Sequence, residues 1–331
     1  MSELENKYEP QFENRIDLQE LQAKMQAVKQ EVKKVIVGQD EVIHKLLIAL
    51  LATGHALIEG MPGVAKTLTA KLMAKAVQGV FKRVQFTPDL MPSDVTGSSV
   101  LDLKSNEFEF KQGPIFGHIV LIDEINRAPA KTQAALFECM SERQVTVDGT
   151  TYPVPAPFIV LATQNPIEHE GTYRLPEAQL DRFLFKIQVD YPAAEQELEI
   201  LREHHAQQAR NKEDLVQPVL RVEELLVFQA LIKSIYAHED VLAYIAQVVQ
   251  HTRSNPNLSL GASPRASIAL LEAAKASAAL QGRDFITPDD VKYVASAILG
   301  HRVLLTPEKE MEGFTSDYIV KQLVDSIEIP R

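Results

Sequence analysis

The sequence predicts an α/β fold, a parallel sheet flanked by helices, followed by an all-helical second domain. Three observations predict it. Continuous apolar runs, such as Ile119-Val120-Leu121-Ile122 and Phe158-Ile159-Val160-Leu161, alternate with helical patterns between Ala56 and Val189. Such runs suit parallel strands buried on both faces. The stretch Gly60-Met61-Pro62-Gly63-Val64-Ala65-Lys66-Thr67 joins one apolar run, His55 to Glu59, to a helical pattern, which is the context of a phosphate-binding loop. After Tyr191-Pro192 the pattern turns helical.

Leu18, Leu21, Met25, Val28, Val32 and Val35 recur at alternating three- and four-residue spacing, the mark of an amphipathic helix. Packing against the first domain is expected of it, rather than a coiled coil. Val37-Gly38-Gln39-Asp40 breaks that helix, and Glu41 to Leu51 forms the next. Strands are expected at 55–59, 82–86, 118–122, 158–162 and 183–189. Residues 97–112 read as a hairpin, with Val100-Leu101 and Phe108-Glu109-Phe110 around polar Lys104-Ser105-Asn106. A second hairpin lies at 144–157, where Asp148-Gly149 separates Val145-Thr146-Val147 from Tyr152. Helices are expected at 193–210, 222–236, 240–252, 264–281 and 288–299. Thr287-Pro288-Asp289-Asp290 supplies a capping hydroxyl, a first-turn proline and acids at the positive dipole end, and Ser263-Pro264 is read the same way. The expected division is a first domain over 1–190 and a helical domain over 191–331. Met1 to Arg15 reads as a frayed polar end.

A chain of 331 residues has room for two domains and a large core. A net charge of −11 argues against non-specific nucleic-acid binding, so no nucleic-acid partner is expected. Lys33-Lys34 and Lys82-Arg83 are too small for basic patches and read as solvated helix or strand ends. Cys139 is the single cysteine, which excludes an intramolecular disulfide; within an apolar helical pattern it reads as packing, not as a nucleophile. No signal-peptide character and no apolar run of membrane-spanning length are present, so a cytoplasmic protein without membrane insertion is expected. His118, His169 and His301 lack metal-ligand spacing, and the adjacent His204 and His205 diverge on a helix.

In a phosphate loop, backbone N–H groups and the helix dipole cradle phosphate oxygens. Lys66 adds a point charge on the outer phosphates, and the Thr67 hydroxyl is placed to ligate Mg²⁺. Ala65 stands where a second glycine is usual. Because that position leads into a helix, a right-handed backbone is expected there, whereas Gly63 can adopt a shape other residues resist. The apolar strand before Asp123-Glu124 ends in two acids. The first suits a Mg²⁺ shell and the second a water-activating base; a solvated loop start is the local alternative. Asn165, in Ala162-Thr163-Gln164-Asn165-Pro166, either positions a water or serves an Asn-Pro turn. Arg265 lies in a first helical turn, where the dipole disfavours a cation, so it either faces a phosphate or is simply exposed.

These motifs, taken in order, resemble those of AAA+ ATPases, and most closely the MoxR family. The matching pieces are Val37-Gly38-Gln39, Gly60 to Thr67, Asp123-Glu124-Ile125-Asn126-Arg127-Ala128, Ala162 to Pro166, Glu170-Gly171-Thr172-Tyr173, Leu175 to Phe183, and Gly261 to Ala266. Ala65 is itself what MoxR-like loops carry, whereas Arg174 stands where family members often have proline. The resemblance implies an AAA+ core with a helical lid, binding ATP and Mg²⁺. It implies nucleotide contacts from Val37, Gly38, Gly60, Met61, Pro62, Gly63, Val64, Ala65, Lys66, Thr67, Leu68 and Arg265, with Thr67 and Asp123 at the metal. Lys66 and Thr67 would be Walker A residues, Asp123 and Glu124 the Walker B acids, Asn165 sensor 1 and Arg265 sensor 2. Arg182 would be the arginine finger reaching a neighbouring subunit, a role that Arg127 could share. Both hairpins would face the axis of a homo-oligomeric ring, a hexamer by family habit. Such rings act as chaperones on client proteins, often with von Willebrand factor A domain partners and sometimes in metal-cofactor insertion. Two competing readings are a nucleotide-gated scaffold with little hydrolysis, against which Glu124 stands, and a DNA-directed motor, against which the acidic balance stands.

Overall fold

The computed structural model describes residues 16–104, 106–165, 173, 175–206 and 211–329. The expected frayed end, Met1 to Arg15, lies outside them, as do Pro166, His169, Glu170, Gly171, Thr172 and Arg174. The chain runs from α1 (Gln19–Lys33) and α2 (Asp40–Leu51) to β1 (Ala56–Gly60) and α3 (Lys66–Ala76). Next come β2 (Phe81–Gln85), α4 (Pro92–Thr96), β3 (Gly97–Asp102), β4 (Glu107–Gln112) and β5 (Ile119–Asp123). The helix α5 (Ala130–Glu142) leads to β6 (Gln144–Val147), β7 (Thr150–Pro153), β8 (Ile159–Gln164), α6 (Glu177–Leu180) and β9 (Phe185–Val189). Then follow α7 (Ala194–Ala206), α8 (Val222–Lys233), α9 (Glu239–Ser254), β10 (Leu258–Leu260), α10 (Pro264–Leu280), α11 (Pro288–Leu299), β11 (Leu304–Leu305), α12 (Pro307–Met311) and α13 (Ser316–Ser326).

Five strands form one parallel sheet in the order β2-β5-β8-β1-β9. The expected strands agree with these to within about two residues. Successive side chains alternate between two apolar clusters. Ala56, Ile58, Ile119, Leu121, Ile159 and Leu161 face one, and Leu57, Val120, Ile122, Val160 and Ala162 face the other. Covering on both faces is the reason the central strands β1, β5 and β8 are apolar runs, whereas the edge strand β2 carries exposed Lys82, Arg83 and Gln85. Both expected hairpins are present as β3–β4 and β6–β7.

The helix α1 buries Leu18, Leu21, Met25, Val28, Val32 and Val35 as its spacing predicts. Its partners are broader than expected, because it packs on α2 and α3 and also on α10 from the C-terminal half. One apolar cluster accordingly runs from α1, α2 and β1 through α8, α9, α10, α11 and α13. Gln229 of α8 donates to the Leu50 carbonyl at 2.7 Å, and Tyr293 of α11 donates to Glu41 at 2.8 Å. Helices dominate after Val189, but the structure adds a two-stranded antiparallel ribbon of β10 and β11, too short to carry a strand signature.

The cap at Thr287 forms as expected: its N–H and hydroxyl both donate to Asp290, each at 2.9 Å. Ser263 departs from expectation. It is the N-cap of α10, but its hydroxyl donates to Asp181 at 3.1 Å instead of capping the helix. Cys139 is buried, and burial pushes its thiol up to about 11, as suits a packing residue.

His55, just before β1, is a buried tie between elements. The Val160 N–H donates to its Nδ1 at 2.9 Å, so Nε2 carries the proton and donates to the Met140 carbonyl at 3.2 Å. Burial lowers its pKa to about 4. The unfolded ring binds a proton near pH 6.5 and the folded one only near 4, so this contribution is complete above 6.5 and is lost as pH falls between the two. At about 1.4 kcal/mol per unit, the span is on the order of 3 kcal/mol. In urea denaturation the stability gap between wild type and His55→Gln should narrow steadily from pH 7 to pH 4.5; a gap independent of pH would contradict the neutral buried ring.

Candidate functional site

Parallel pairing sends the loops after β1, β5 and β8 out along one edge of the sheet, where ligands of open α/β sheets bind. A cleft of about 360 Å³ opens there, lined by Pro62, Gly63, Ala65, Lys66, Thr67, Leu68, Arg83, Gln85, Asp123, Glu124, Thr163 and Asn165. Its size is that of a small-ligand site.

The loop after β1 is built by two glycines for different reasons. A Cβ on Gly60 would lie 2.5 Å from the Val189 carbonyl, so β9 leaves no space for one. Gly63 has φ +87 and open surroundings, so its requirement is conformational. Ala65 corrects the sequence expectation: it is left-handed, at φ 59, not right-handed. The loop turns through this residue, the N-cap, to start α3 at Lys66. A left-handed alanine costs about 1–2 kcal/mol. The Lys66 ammonium donates to the Gly60 carbonyl at 2.5 Å and to the Gln164 carbonyl at 3.3 Å, which folds it back over the loop. Gln39 donates to the Val64 carbonyl at 2.8 Å and so ties Val37-Gly38-Gln39 to the same loop.

Asp123 ends β5 as a buried carboxylate. The Thr67 hydroxyl donates to it at 3.3 Å, the Thr163 hydroxyl at 3.2 Å and Arg83 Nε at 2.6 Å. Glu124 follows in a left-handed conformation, φ 56 and ψ 53, with its N–H donating to Thr163 Oγ1 at 3.0 Å. Strain of this kind concentrates at functional sites. The turn lifts the Glu124 carboxylate to Gln85 Nε2 at 2.7 Å and Arg127 Nη1 at 3.1 Å.

The structure thus brings together Lys66, Thr67, Asp123, Glu124 and Asn165, with Pro62, Gly63, Ala65 and Leu68. Arg182, Arg265, Val37, Gly38, Gly60, Met61 and Val64 do not line the cleft. Arg182 donates to the Phe137 carbonyl at 3.2 Å, and the largely exposed Arg265 sits 4.0 Å from Asp181. Lys82 and Arg83 are both exposed on the edge strand β2, as read, but Arg83 is also the ion-pair partner of Asp123. Period-two alternation puts Arg83 and Gln85 on one face of β2, and pairing with β5 sets Gln85 beside Asp123. That neighbourhood depends on strand order, and no local signal reveals it.

Two family models match the chain. The first, described as "ATPase family associated with various cellular activities (AAA)", covers residues 55–185, and the second, "AAA lid domain", covers 250–323. Chaperone MoxR1 of Mycobacterium tuberculosis is 42% identical over 310 residues, 91% of this chain and 81% of the relative. Protein MoxR of Methylorubrum extorquens is 32% identical over 85% of this chain and 88% of its own length. The chain belongs to the MoxR family of AAA+ ATPases. YeaC of Bacillus subtilis is 46% identical over 91% of this MoxR-family chain and 93% of its own. A solved structure from Cytophaga hutchinsonii, 42% identical, superimposes with a TM-score of 0.88 over 95% of this chain and 97% of that one. The AAA+ core and helical lid of the MoxR fold are therefore those of this chain.

The donor set fits a Mg²⁺ ion. It offers one buried carboxylate and one hydroxyl, hard oxygen ligands that leave positions for water and phosphate oxygens. Among the described residues there is no group of three His, Cys, Asp or Glu that would make a dedicated metal cage.

The left-handed Ala65 makes a prediction. Ala65→Gly removes a backbone penalty of about 1–2 kcal/mol against about 0.5–1 kcal/mol of added chain entropy, so stability should hold or rise slightly. Ala65→Val, β-branched at positive φ, should lose more than about 1 kcal/mol in urea denaturation. Equal stability of all three proteins would contradict the left-handed turn.

Proposed function

We propose that this chain hydrolyses ATP to ADP and phosphate in sites shared between subunits of a homo-oligomeric ring, and uses the cycle to remodel or mature partner proteins. The observation that carries the reading is the single cleft holding Lys66, Thr67, Asp123, Glu124 and Asn165, with Arg182 outside it. An arginine that does not line its own chain's cleft is what a finger supplied in trans requires. Arg127 is the weaker candidate for that role, because it is paired with Glu124 of its own chain.

In this reading the loop amides and Lys66 hold the β- and γ-phosphates. Thr67 and Asp123 would hold Mg²⁺, which supplies neutralisation of developing phosphate charge. Glu124 accepts the proton of the attacking water, and Asn165 orients that water. For this, Glu124 exchanges its contacts with Gln85 and Arg127 for the water. Arg265 approaches the phosphates when the lid, residues 191–331, closes on the core, residues 1–190. Arg182 completes the charge stabilisation in the neighbouring site. Val37, Gly38 and Met61 border the nucleotide beyond the cleft; the link from Gln39 to Val64 supports this for the first two.

A relative named as a chaperone supports protein remodelling as the output. A hexameric ring, a von Willebrand factor A domain partner and metal-cofactor insertion are carried by the family resemblance, as is a cytoplasmic setting. Among the described residues no helix is long and apolar enough to cross a membrane.

ATPase rate per chain should rise steeply with protein concentration. Arg182→Ala and Lys66→Ala should each be inactive alone and partly active when mixed, because an arginine finger contributes on the order of 10³–10⁵ in rate. A rate per chain independent of concentration and of Arg182 would mean a self-contained ATPase or a scaffold. Glu124→Gln should bind nucleotide with near-normal affinity and lose about 10²–10⁴ in turnover; undiminished turnover would remove Glu124 as the base.

A further inference from the structure

Arg302, between α11 and β11, is buried, and every N–H of its guanidinium has an acceptor. Nε donates to Asp181 Oδ1 at 2.7 Å. Nη2 donates to the carbonyls of Asp181 at 3.1 Å and Phe183 at 2.6 Å. Nη1 donates to the carbonyls of Leu184 at 3.2 Å and Ile298 at 2.5 Å. One lid residue therefore grips the backbone on both sides of Arg182, just before the edge strand β9. The planar five-donor fork is what allows one side chain to do this, and a lysine cannot reproduce it.

Asp181 is the centre of the cluster. Its Oδ1 takes Arg302, while Oδ2 takes the Ser263 hydroxyl at 3.1 Å and faces Arg265 Nη1 at 4.0 Å. Ser263 and Arg265 open α10, so two separate parts of the lid meet on one core carboxylate. This sets a competition: Arg265 is held by one carboxylate oxygen at a long distance, and a polyphosphate offers it a higher negative charge.

We propose that Asp181 and Arg302 are positioning residues that set how Arg182 is presented to the neighbouring subunit, with Arg265 linking that presentation to the lid's own nucleotide. The inference rests on the shared-site reading above. When Arg265 turns to a phosphate, Asp181 keeps Arg302 but loses its second cation. The lid start is then tied to the 181–184 segment by the Ser263 hydroxyl alone, and the two shift relative to each other more readily. Nucleotide in one subunit is thereby felt at the next subunit's site through a backbone segment of two or three residues.

The test separates the donor of the finger from the acceptor. Lys66→Ala chains, which keep Arg182 and bind no nucleotide, are mixed with Arg182→Ala chains, which bind nucleotide and lack the finger. Adding Asp181→Asn to the donor keeps an oxygen for Arg302 and removes the charge. The complemented ATPase rate should fall at least about fivefold at a temperature well below the donor's thermal midpoint, with assembly size unchanged; this donor has no nucleotide site to impair, so the loss reports presentation of Arg182. An undiminished rate overturns the proposal. If the Asp181→Asn donor does not fold or assemble, Arg265→Gln in the donor decides: this exposed arginine has no phosphate to meet in a Lys66→Ala chain. A rate change of at least about twofold supports the link through Asp181, and no change overturns it. Absence of any complementation by the parent pair would instead defeat the shared-site reading itself.

Discussion

Because β5, β8 and β1 lie side by side and run parallel, the three loops that carry the chemistry leave the sheet along one edge within reach of one another. The position of β8 between the other two matters most. Its tip fills the space between the phosphate loop and the Asp123-Glu124 pair. From there the Gln164 carbonyl receives Lys66 and the Thr163 hydroxyl bridges Asp123 and the Glu124 amide. Reversing any one strand would send its residues to the far edge of the sheet. Burial on both faces is why the three central strands are apolar until their tips, where Glu59, Asp123 and Gln164 stand.

Two left-handed residues without glycine's freedom, Ala65 and Glu124, stand at the mouths of the two functional loops. The turn at Ala65 brings the next side chain, Lys66, into the cleft, whereas the turn at Glu124 presents its own carboxylate there and sends Ile125 into the core. The strain is modest beside the energy of the sheet and its two apolar clusters, which hold both turns in place. Asp123 shows the same economy in electrostatics. A buried carboxylate needs a countercharge, and Arg83 supplies it from the neighbouring strand.

The lid is bound to the core by more than a hinge. A continuous apolar cluster joins α1 and α2 to α10, and the buried Arg302 reaches from the lid into the 181–184 backbone. Removing the Asp181 carboxylate would leave that guanidinium a buried cation without a countercharge, a costly state. The lid contact next to Arg182 is therefore stiff where it is buried, at Arg302. It is soft where it is exposed, at Arg265. A joint with one firm and one exchangeable partner suits transmission better than a flexible linker would.

The sequence by itself determined the elements and the reacting groups. Strands that alternate between two cores are continuous apolar runs, and phosphate-binding, metal-binding and proton-accepting groups must be particular residue types at particular loop positions. Lys66, Thr67, Asp123, Glu124 and Asn165 were legible for that reason. The lid ribbon was not, because strands of two or three residues carry no periodicity. Neither were the left-handed Ala65, the uncapped Ser263, nor the roles of Arg83, Gln85 and Arg302. Each depends on a neighbour that is distant in the chain: β9 and the loop it shapes, Asp181, the β2–β5 register, or the carbonyls before β9. Spacing along a chain encodes local geometry, whereas the partner of a charge or a hydroxyl is decided by which segments tertiary packing brings alongside it.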